Sequence, residues 1–264
     1  MRPARAIALA AALIGASCGA PLMKLPSVAG VPAADASALL ADATAGCRRI
    51  ASFSAEVGVS GSVSGHRLRG RILAGLARPA VAYLEAPAPF GAPLFIFSAR
   101  DGSGTLLLPR DRRLLDAADP QAILEAVTGV PLSPADLRTT LTGCAPDDAP
   151  GADEARMPSP GWRVIPGDYT LYLRQDDAAG PWRLVAVVHG GPAGWRADYR
   201  DFVDDVPRRI RLTGVGDRRF DLRLDLSQID LDAALDPADL RPTIPSGVQP
   251  ITLEELRANG PLAE

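Results

Sequence analysis

Hydrophobic and polar positions alternate along most of this chain, and a period of two is typical of strands with one buried face. The clearest pair of runs covers residues 53–63 and 67–76, joined by Ser64-Gly65, which predicts a hairpin turn. Further alternating runs predict strands at 79–86, 93–99, 103–109, 161–166, 168–175, 181–189, 194–202, 206–213 and 217–231. About eleven short strands in a meander indicate a barrel or a strongly curved antiparallel sheet.

Helical periodicity interrupts the strands in two places. A first helix is predicted from Asp35, a plausible N-cap, to near Ile50. A helix pair is predicted within residues 119–143: Asp119-Pro120 and Ser133-Pro134 start the two helices, and Gly143 ends the second. These few helices must cover the apolar face of a long sheet. The result is either a filled core or an apolar cavity under a helical lid, which is the usual form of a small-molecule site.

The first eighteen residues have the pattern of a bacterial lipoprotein signal. Arg2 and Arg5 precede the apolar run 6–14, and small residues lead to Cys18. That run is too short to span a bilayer, which requires about 20 residues in a helix. We predict cleavage after residues 1–17 and acylation of Cys18; the alternative is an ordinary signal peptide cleaved nearby.

Composition divides the rest of the chain and limits its function classes. Residues 18–34, rich in Pro, Gly and Ala, are predicted to be a flexible tether; residues 35–235 form the main domain, and 236–264 a Pro-rich tail with a short helix. A net charge of −3 gives no support to nucleic-acid binding, which requires a basic face. Cys47 and Cys144 form an even pair once Cys18 is acylated. A disulfide between them is expected in an oxidising compartment, with two buried free thiols as the alternative.

Candidate catalytic residues are scarce. The two histidines, His66 and His189, lie at a hairpin and at a strand end, and neither has an evident acid or nucleophile as partner. The sequence contains no nucleophile elbow and no metal-ligand spacing. We therefore expect no enzymatic activity, no metal and no cofactor.

A proline-rich segment, residues 87–93, connects two predicted strands. Its three prolines prevent it from pairing as an interior strand, and it carries Phe90 with no charged neighbour. An aromatic side chain on an apolar loop tip is a candidate for insertion into a membrane or a partner. The alternative is that Phe90 folds back and plugs the sheet.

Three segments resemble the outer-membrane lipoprotein receptor LolB and the wider LolA-like group of lipoprotein carriers. Residues 128–143, which begin T-G-V-P-L-S-P-A-D-L-R, are similar to the lid-helix segment of that family, and residues 206–212 are similar to its late strands. Pro89-Phe90-Gly91 resembles the family's protruding loop, in which Leu stands between Pro and Gly. The resemblance covers about residues 36–232.

The resemblance implies a mainly β (α+β) fold, an incomplete antiparallel β-barrel whose helices cover an apolar cavity for acyl chains of lipoproteins or lipids. It also implies a periplasmic LolA-type carrier as partner, and membrane insertion promoted by Pro89, Phe90 and Gly91. Cys18 is followed by Gly19 and Ala20, without the aspartate associated with inner-membrane retention, so the periplasmic face of the outer membrane is the expected location. We expect a monomer. The apolar positions expected to line the cavity or its lid are Phe53, Val57, Val59, Leu68, Ile72, Ile123, Leu124, Val127, Leu137, Leu141, Tyr169 and Leu171.

A second hypothesis belongs to another class of function. The same fold with a filled core could be an envelope interaction or sensing module that uses the Phe90 loop to dock another protein. A cavity distinguishes the two hypotheses, because a filled core leaves no room for an acyl chain.

Overall fold

The computed structural model describes residues 21–149, 151–233, 235 and 240–259. Cys18, Gly19 and Ala20, and with them the predicted signal and acylation site, lie outside the described residues. Among the residues described, no helix combines the length and the hydrophobicity needed to cross a bilayer.

Strands dominate the chain. In order they are β1 Val31–Pro32, β2 Ser52–Val63, β3 His66–Ala77, β4 Val81–Ala86, β5 Phe95–Arg100, β6 Ser103–Leu108, β7 Arg113–Ala118, β8 Arg156–Met157, β9 Trp162–Ile165, β10 Tyr169–Gln175, β11 Trp182–His189, β12 Trp195–Val203, β13 Val206–Gly214, β14 Phe220–Leu231 and β15 Gln249–Pro250. The helices are α1 Ala36–Arg49, α2 Pro120–Thr128, α3 Pro134–Thr142 and α4 Leu253–Asn259, with a 3-10 turn at Ala152–Glu154.

All these strands belong to one sheet, in the order β1-β8-β9-β10-β11-β12-β13-β14-β2-β3-β4-β5-β6-β7-β15. Neighbours pair antiparallel, except that β15 runs parallel to β7. The two end strands, β1 and β15, are not paired to each other, so the sheet curves without closing. The predicted mainly β fold with an incomplete antiparallel barrel is confirmed.

Local sequence explains most of these elements. The β2–β3 hairpin turns at Ser64 and Gly65, whose φ angles of 49° and 85° are the positive values that such a tight turn requires. The Asp119 carboxylate accepts a hydrogen bond from the Ala122 N–H at 2.7 Å and caps α2. The lid helices are α2 and α3, and they end at Gly129 and Gly143. The end of α3 at Gly143 was predicted from the sequence.

The strand β7 was not predicted. Its sequence, R-L-L-D-A-A, does not alternate, and its pairing with β6 is irregular between Gly104 and Leu106. Pairing with the neighbouring strand β6, and not local pattern, makes this segment extended.

Asp35 does not cap α1 with its side chain, contrary to the prediction. Its carboxylate instead accepts two hydrogen bonds from the Arg163 guanidinium, both at 2.7 Å. The hydrogen bonds from Arg163 hold the pKa of Asp35 below its usual value. Asp35 is therefore bonded to a residue 128 positions away in the chain and not to the backbone N–H groups at the start of α1.

The predicted flexible tether is packed against the domain from Pro21 onward. The Met23 N–H donates to Asp198 Oδ2 at 2.9 Å, Arg196 donates to the Met23 carbonyl oxygen, and Arg200 donates to the Pro21 carbonyl oxygen at 2.7 Å. Asp198 is 1% exposed and is also paired with Arg196 at 2.7 Å. Residues 21–25 therefore form a strap held by the buried carboxylate of Asp198 and by the guanidinium groups of Arg196 and Arg200.

The strap covers a small apolar cluster that is separate from the main core. Met23 and Leu25 pack against it, and its buried members are Val164, Tyr172, Val185 and Ala186. Tyr172 lies between Leu171 and Leu173, which belong to the main core, so the cluster is on the opposite face of the sheet. Residues 31–32 are also ordered, since β1 pairs with β8.

The C-terminal tail packs against the sheet edge and the lid. The strand β15 pairs with β7, and α4 lies against α2 with Ile251 and Leu256 buried. The hydroxyl of Thr252 and the carboxylate of Glu255 form the capping box at the start of α4. This helix is the short helix predicted in the tail.

Candidate functional site

An apolar cavity of about 440 Å³ lies between the concave face of the sheet and the lid helices. This volume is within the range of ~300–1,000 Å³ found for small-molecule sites. Its apolar lining consists of Val57, Val59, Val63, Leu68, Ile72, Ala74, Leu84, Ala86, Leu94, Phe95, Leu124, Val127, Val130, Leu132, Leu137, Leu141, Leu212, Leu222 and Leu224. The remaining lining residues are concentrated at the mouth and include Arg69, Gly70, Arg71, Arg110 and Asp111.

The strand alternation places the aliphatic side chains in the cavity. Along β2, Val57 and Val59 are buried, whereas their neighbours Glu56, Gly58 and Ser60 are partly exposed. The same period on β14 turns Leu222 and Leu224 inward. Because the sheet is curved, these side chains converge on its concave side.

The lid helices complete the enclosure with side chains at helical spacing. Leu124 and Val127 on α2, and Leu137 and Leu141 on α3, lie three or four positions apart and face the cavity. The residues between the helices contribute Val130 and Leu132. The lid therefore presents six apolar side chains to the cavity.

Eight of the twelve residues expected at the cavity or its lid line it: Val57, Val59, Leu68, Ile72, Leu124, Val127, Leu137 and Leu141. Phe53, Ile123, Tyr169 and Leu171 lie elsewhere. Phe53 pairs with Leu76 at the other end of β2, in the filled part of the core. Ile123 points at β6, where its Cδ1 would be 2.8 Å from a Cβ on Gly104. Leu171 is fully buried on β10, a strand that does not reach the cavity.

Tyr169 has a polar role that its place in the alternation does not indicate. Its hydroxyl donates to Asp136 Oδ1 at 3.0 Å, and its ring stacks on His189 with centroids 4.6 Å apart. Asp136 also forms the capping box of α3 with Ser133. Burial and the Asp136 carboxylate raise the pKa of Tyr169, so the phenol stays neutral and ties the start of α3 to β10.

A disulfide fixes the other end of α3. Cys47, near the end of α1, is bonded to Cys144, two residues after α3, and their Cα atoms are 5.7 Å apart. Gly143, between α3 and the disulfide, has a φ of +65°, and a Cβ there would lie 2.8 Å from the Pro207 ring. The end of the lid is thus bonded to α1 and packed closely on β13.

The Phe90 loop, residues 87–94, forms part of the rim of the cavity. Pro87 and Leu94 line the cavity, whereas Phe90 is 89% exposed at the tip. Arg110 donates to the carbonyl oxygens of Phe90 and Ala92, each at 3.1 Å, and so holds the loop in place. Phe90 does not fold back onto the sheet.

The two histidines considered from the sequence, His66 and His189, are not among the residues that line the cavity. His66 is exposed at the β2–β3 hairpin, and no group of three or more His, Cys, Asp or Glu among the described residues is arranged to hold a metal ion. Several lining residues on predicted strands, such as Leu84, Leu212 and Leu222, were missed although their alternation could have identified them.

Comparison with known proteins supports the fold assignment. No protein-family model matches the chain, and no curated protein has significant sequence similarity to it. A crystal structure of a LolA superfamily protein from Nitrosomonas europaea superposes with a TM-score of 0.55 at 12% identity, over 78% of this chain and 97% of that one. The fold is LolA-like. The resemblance predicted from the sequence is confirmed at this level.

Two other solved structures are more distant. A DUF1329 family protein from Desulfovibrio piger has a TM-score of 0.47 at 11% identity, covering 83% of this chain and all of that one (100%). A putative outer membrane lipoprotein-sorting protein domain from Vibrio parahaemolyticus has a TM-score of 0.44 at 12% identity, covering 72% and 88%.

Proposed function

We propose that this protein is a lipid-anchored envelope protein that binds acyl chains in the cavity and receives or inserts lipoproteins at the outer membrane. The observation that carries the proposal is the apolar cavity of about 440 Å³ between the sheet and the lid helices, open at a rim where Phe90 is exposed. A LolA-like fold supports it by analogy alone.

The lining suits a ligand that must leave again. Each buried methylene contributes about 0.8 kcal/mol, so a long chain held in a tight pocket would leave slowly. Here the cavity is large, aliphatic and covered by two short helices of nine residues each. Acyl chains could therefore slide in a pocket that lacks directional hydrogen bonds.

The N-terminal arrangement fits a membrane-anchored protein. The strap begins at Pro21, three positions after Cys18, and an extended chain of three residues spans only about 10 Å. Acylation of Cys18 would hold the domain close to the bilayer, where Phe90 could insert. In this proposal the protein acts as a monomer without enzymatic activity, and a periplasmic carrier of the LolA type supplies the acylated protein.

The first test is mass spectrometry of lipids and lipopeptides that co-purify with the full chain carrying Cys18→Ala. We expect bound acyl species in an amount close to that of the protein, and uptake of a fluorescent fatty acid. An apo spectrum together with no uptake of the fatty acid would contradict the proposal and favour a docking module that uses exposed Phe90.

A matched pair of variants connects binding to the cavity. Ala74 lines the cavity, and Ala74→Phe would fill part of it. Leu73, the adjacent residue on β3, points to the other face and is 39% exposed, so Leu73→Phe places the same aromatic ring outside the cavity. We expect Ala74→Phe to lose fatty-acid uptake and Leu73→Phe to keep it, with both variants folded by circular dichroism.

A further inference from the structure

The strand β3 has a free edge beside the mouth of the cavity. It pairs with β2 along its whole length, but with β4 only from Leu73 to Ala77. Residues 66–72, called here the β3 edge, therefore have a strand partner on one side only. Backbone N–H and C=O groups on such an edge can accept another strand.

The prolines of the Phe90 loop leave this edge free. Continued pairing would place Pro87 opposite Arg71 and Ala88 opposite Gly70, since Glu85 pairs with Leu73. Proline lacks the N–H needed for the ladder, so β4 ends at Ala86 and the chain turns away toward Phe90. The end of β4 before Pro87 thus leaves both the β3 edge free and the mouth of the cavity open.

The β3 edge borders the cavity. Arg69, Gly70 and Arg71 lie at the mouth, and a Cβ on Gly70 would meet no atom within 4 Å. Leu68 and Ile72 also line the cavity, so a chain segment along this edge would pass directly over its opening. An acyl chain in the cavity and a peptide on the edge could then belong to one molecule.

The outward side chains of the edge are basic. Arg67, Arg69 and Arg71 lie opposite Ser62, Ser60 and Gly58 of β2, and their side chains point to the other face of the sheet from Leu68 and Ile72. Arg71 is paired with Glu56 at 3.2 Å. Among the described residues, no ion pair within 4 Å involves Arg67 or Arg69.

We propose that the β3 edge binds the extended peptide segment of an acylated cargo protein by strand addition, with acidic side chains of the peptide opposite Arg67 and Arg69. This inference rests on the proposed function, because it assumes that the acyl chain occupies the cavity. Main-chain hydrogen bonds would bind any extended peptide, and the two arginines would favour acidic residues at alternate positions.

A second copy of this chain fits the edge poorly. Two β3 edges paired with each other would place the basic side chains of one row opposite those of the other, and like charges directly opposite are destabilising. An acidic peptide satisfies the same edge without this repulsion. The charge of the edge thus selects the cargo peptide as its occupant.

Hydrogen–deuterium exchange on the full chain carrying Cys18→Ala tests this assignment. The probes are a dipalmitoylated peptide with Glu at alternate positions, the same lipopeptide with Lys in place of Glu, the lipid without a peptide and the Glu peptide without lipid. We expect the Glu lipopeptide to protect amides within residues 66–72. The lipid alone should protect the lid helices and the cavity strands β2 and β14, but not residues 66–72.

Charge reversal provides the matched variants. Arg67→Glu should weaken binding of the Glu lipopeptide about two- to fivefold, while leaving binding of the lipid alone unchanged, because Arg67 is not among the residues that line the cavity. Arg223, exposed on β14 and opposite Ser60, lies on the same face but away from the edge, so Arg223→Glu should have little effect.

The outcomes separate this inference from the proposed function. Binding of lipid and lipopeptide without protection of residues 66–72 would overturn the edge assignment and leave acyl binding intact. Protection of the edge that depends only on protein concentration would overturn it in favour of a second copy. Failure of every lipid probe to bind would overturn the proposed function itself.

Discussion

The disulfide between Cys47 and Cys144 should supply a large part of the stability of this protein. It closes a loop with a sequence separation of 97 residues. In the chain-entropy model a loop of this length stabilises the folded state by about 4–5 kcal/mol, against a total of about 5–15 kcal/mol for a typical domain. Both cysteines are 3% exposed, so alanine is the appropriate replacement, since serine would bury a hydroxyl.

We expect Cys47→Ala with Cys144→Ala to lower the midpoint of urea unfolding by about 2 M, for a slope of ~2–3 kcal/mol per M. Fluorescence of Trp195, which is fully buried, follows the transition. Reduction of the unchanged protein should give a similar shift, because it removes the cross-link and keeps both sulfur atoms. Cys18→Ala is the control variant and should not change the midpoint.

The double variant without the disulfide, Cys47→Ala with Cys144→Ala, should also release a bound fluorescent fatty acid faster. The reason is that the disulfide holds the end of α3 against α1. A loss below about 1 kcal/mol on both removal and reduction would refute the entropic argument. Unchanged release kinetics despite a large loss of stability would show that the end of the lid does not control exit from the cavity.

Three further predictions concern single residues. Phe90→Asp should change the free energy of unfolding by no more than about 0.5 kcal/mol, because Phe90 is 89% exposed. It should nevertheless slow transfer of an acyl probe to vesicles, and equal transfer rates would contradict the insertion role. Gly143→Ala should destabilise the protein by about 1–3 kcal/mol in urea unfolding, since φ is +65° and the new Cβ would lie 2.8 Å from Pro207; no loss would mean that the close contact relaxes freely. The pKa of Asp35 is lowered in the folded protein by hydrogen bonds from Arg163, so this pair stabilises the fold above the ordinary carboxyl pKa of 3.8 and its contribution is lost as pH falls through the folded value. Asp35→Asn should therefore lower the urea midpoint near neutral pH, and its difference from the unchanged protein should shrink in acid; a difference independent of pH would contradict this reasoning.

Elements with a strong local signal could be predicted from the sequence. The β2–β3 hairpin has a period of two on both strands and a turn at Ser64-Gly65, and α2 has a cap at Asp119 with proline next to it. Strand bounds agree within about three residues where alternation is regular. The irregular strand β7 was missed, because its conformation is imposed by β6.

The candidate site was predictable only in part. The alternation identified Val57, Val59 and Ile72 as inward-facing, and they line the cavity. It gave the same assignment to Phe53 and Leu171, which face the same side of the sheet but lie where the core is filled. A period of two specifies the face of a sheet and says nothing about how far away the covering element is.

The sequence by itself determined the regularly alternating strands, the lid helices, the β2–β3 turn and the cap of α2, because these depend on neighbours a few positions away. Only the tertiary structure decided that the concave face encloses a cavity, that Phe90 is exposed and that residues 21–25 are strapped to the outer face by Asp198. Each of these outcomes depends on contacts between residues that are far apart in the chain. The curvature of the sheet and the position of the lid set those contacts, and no local pattern encodes them.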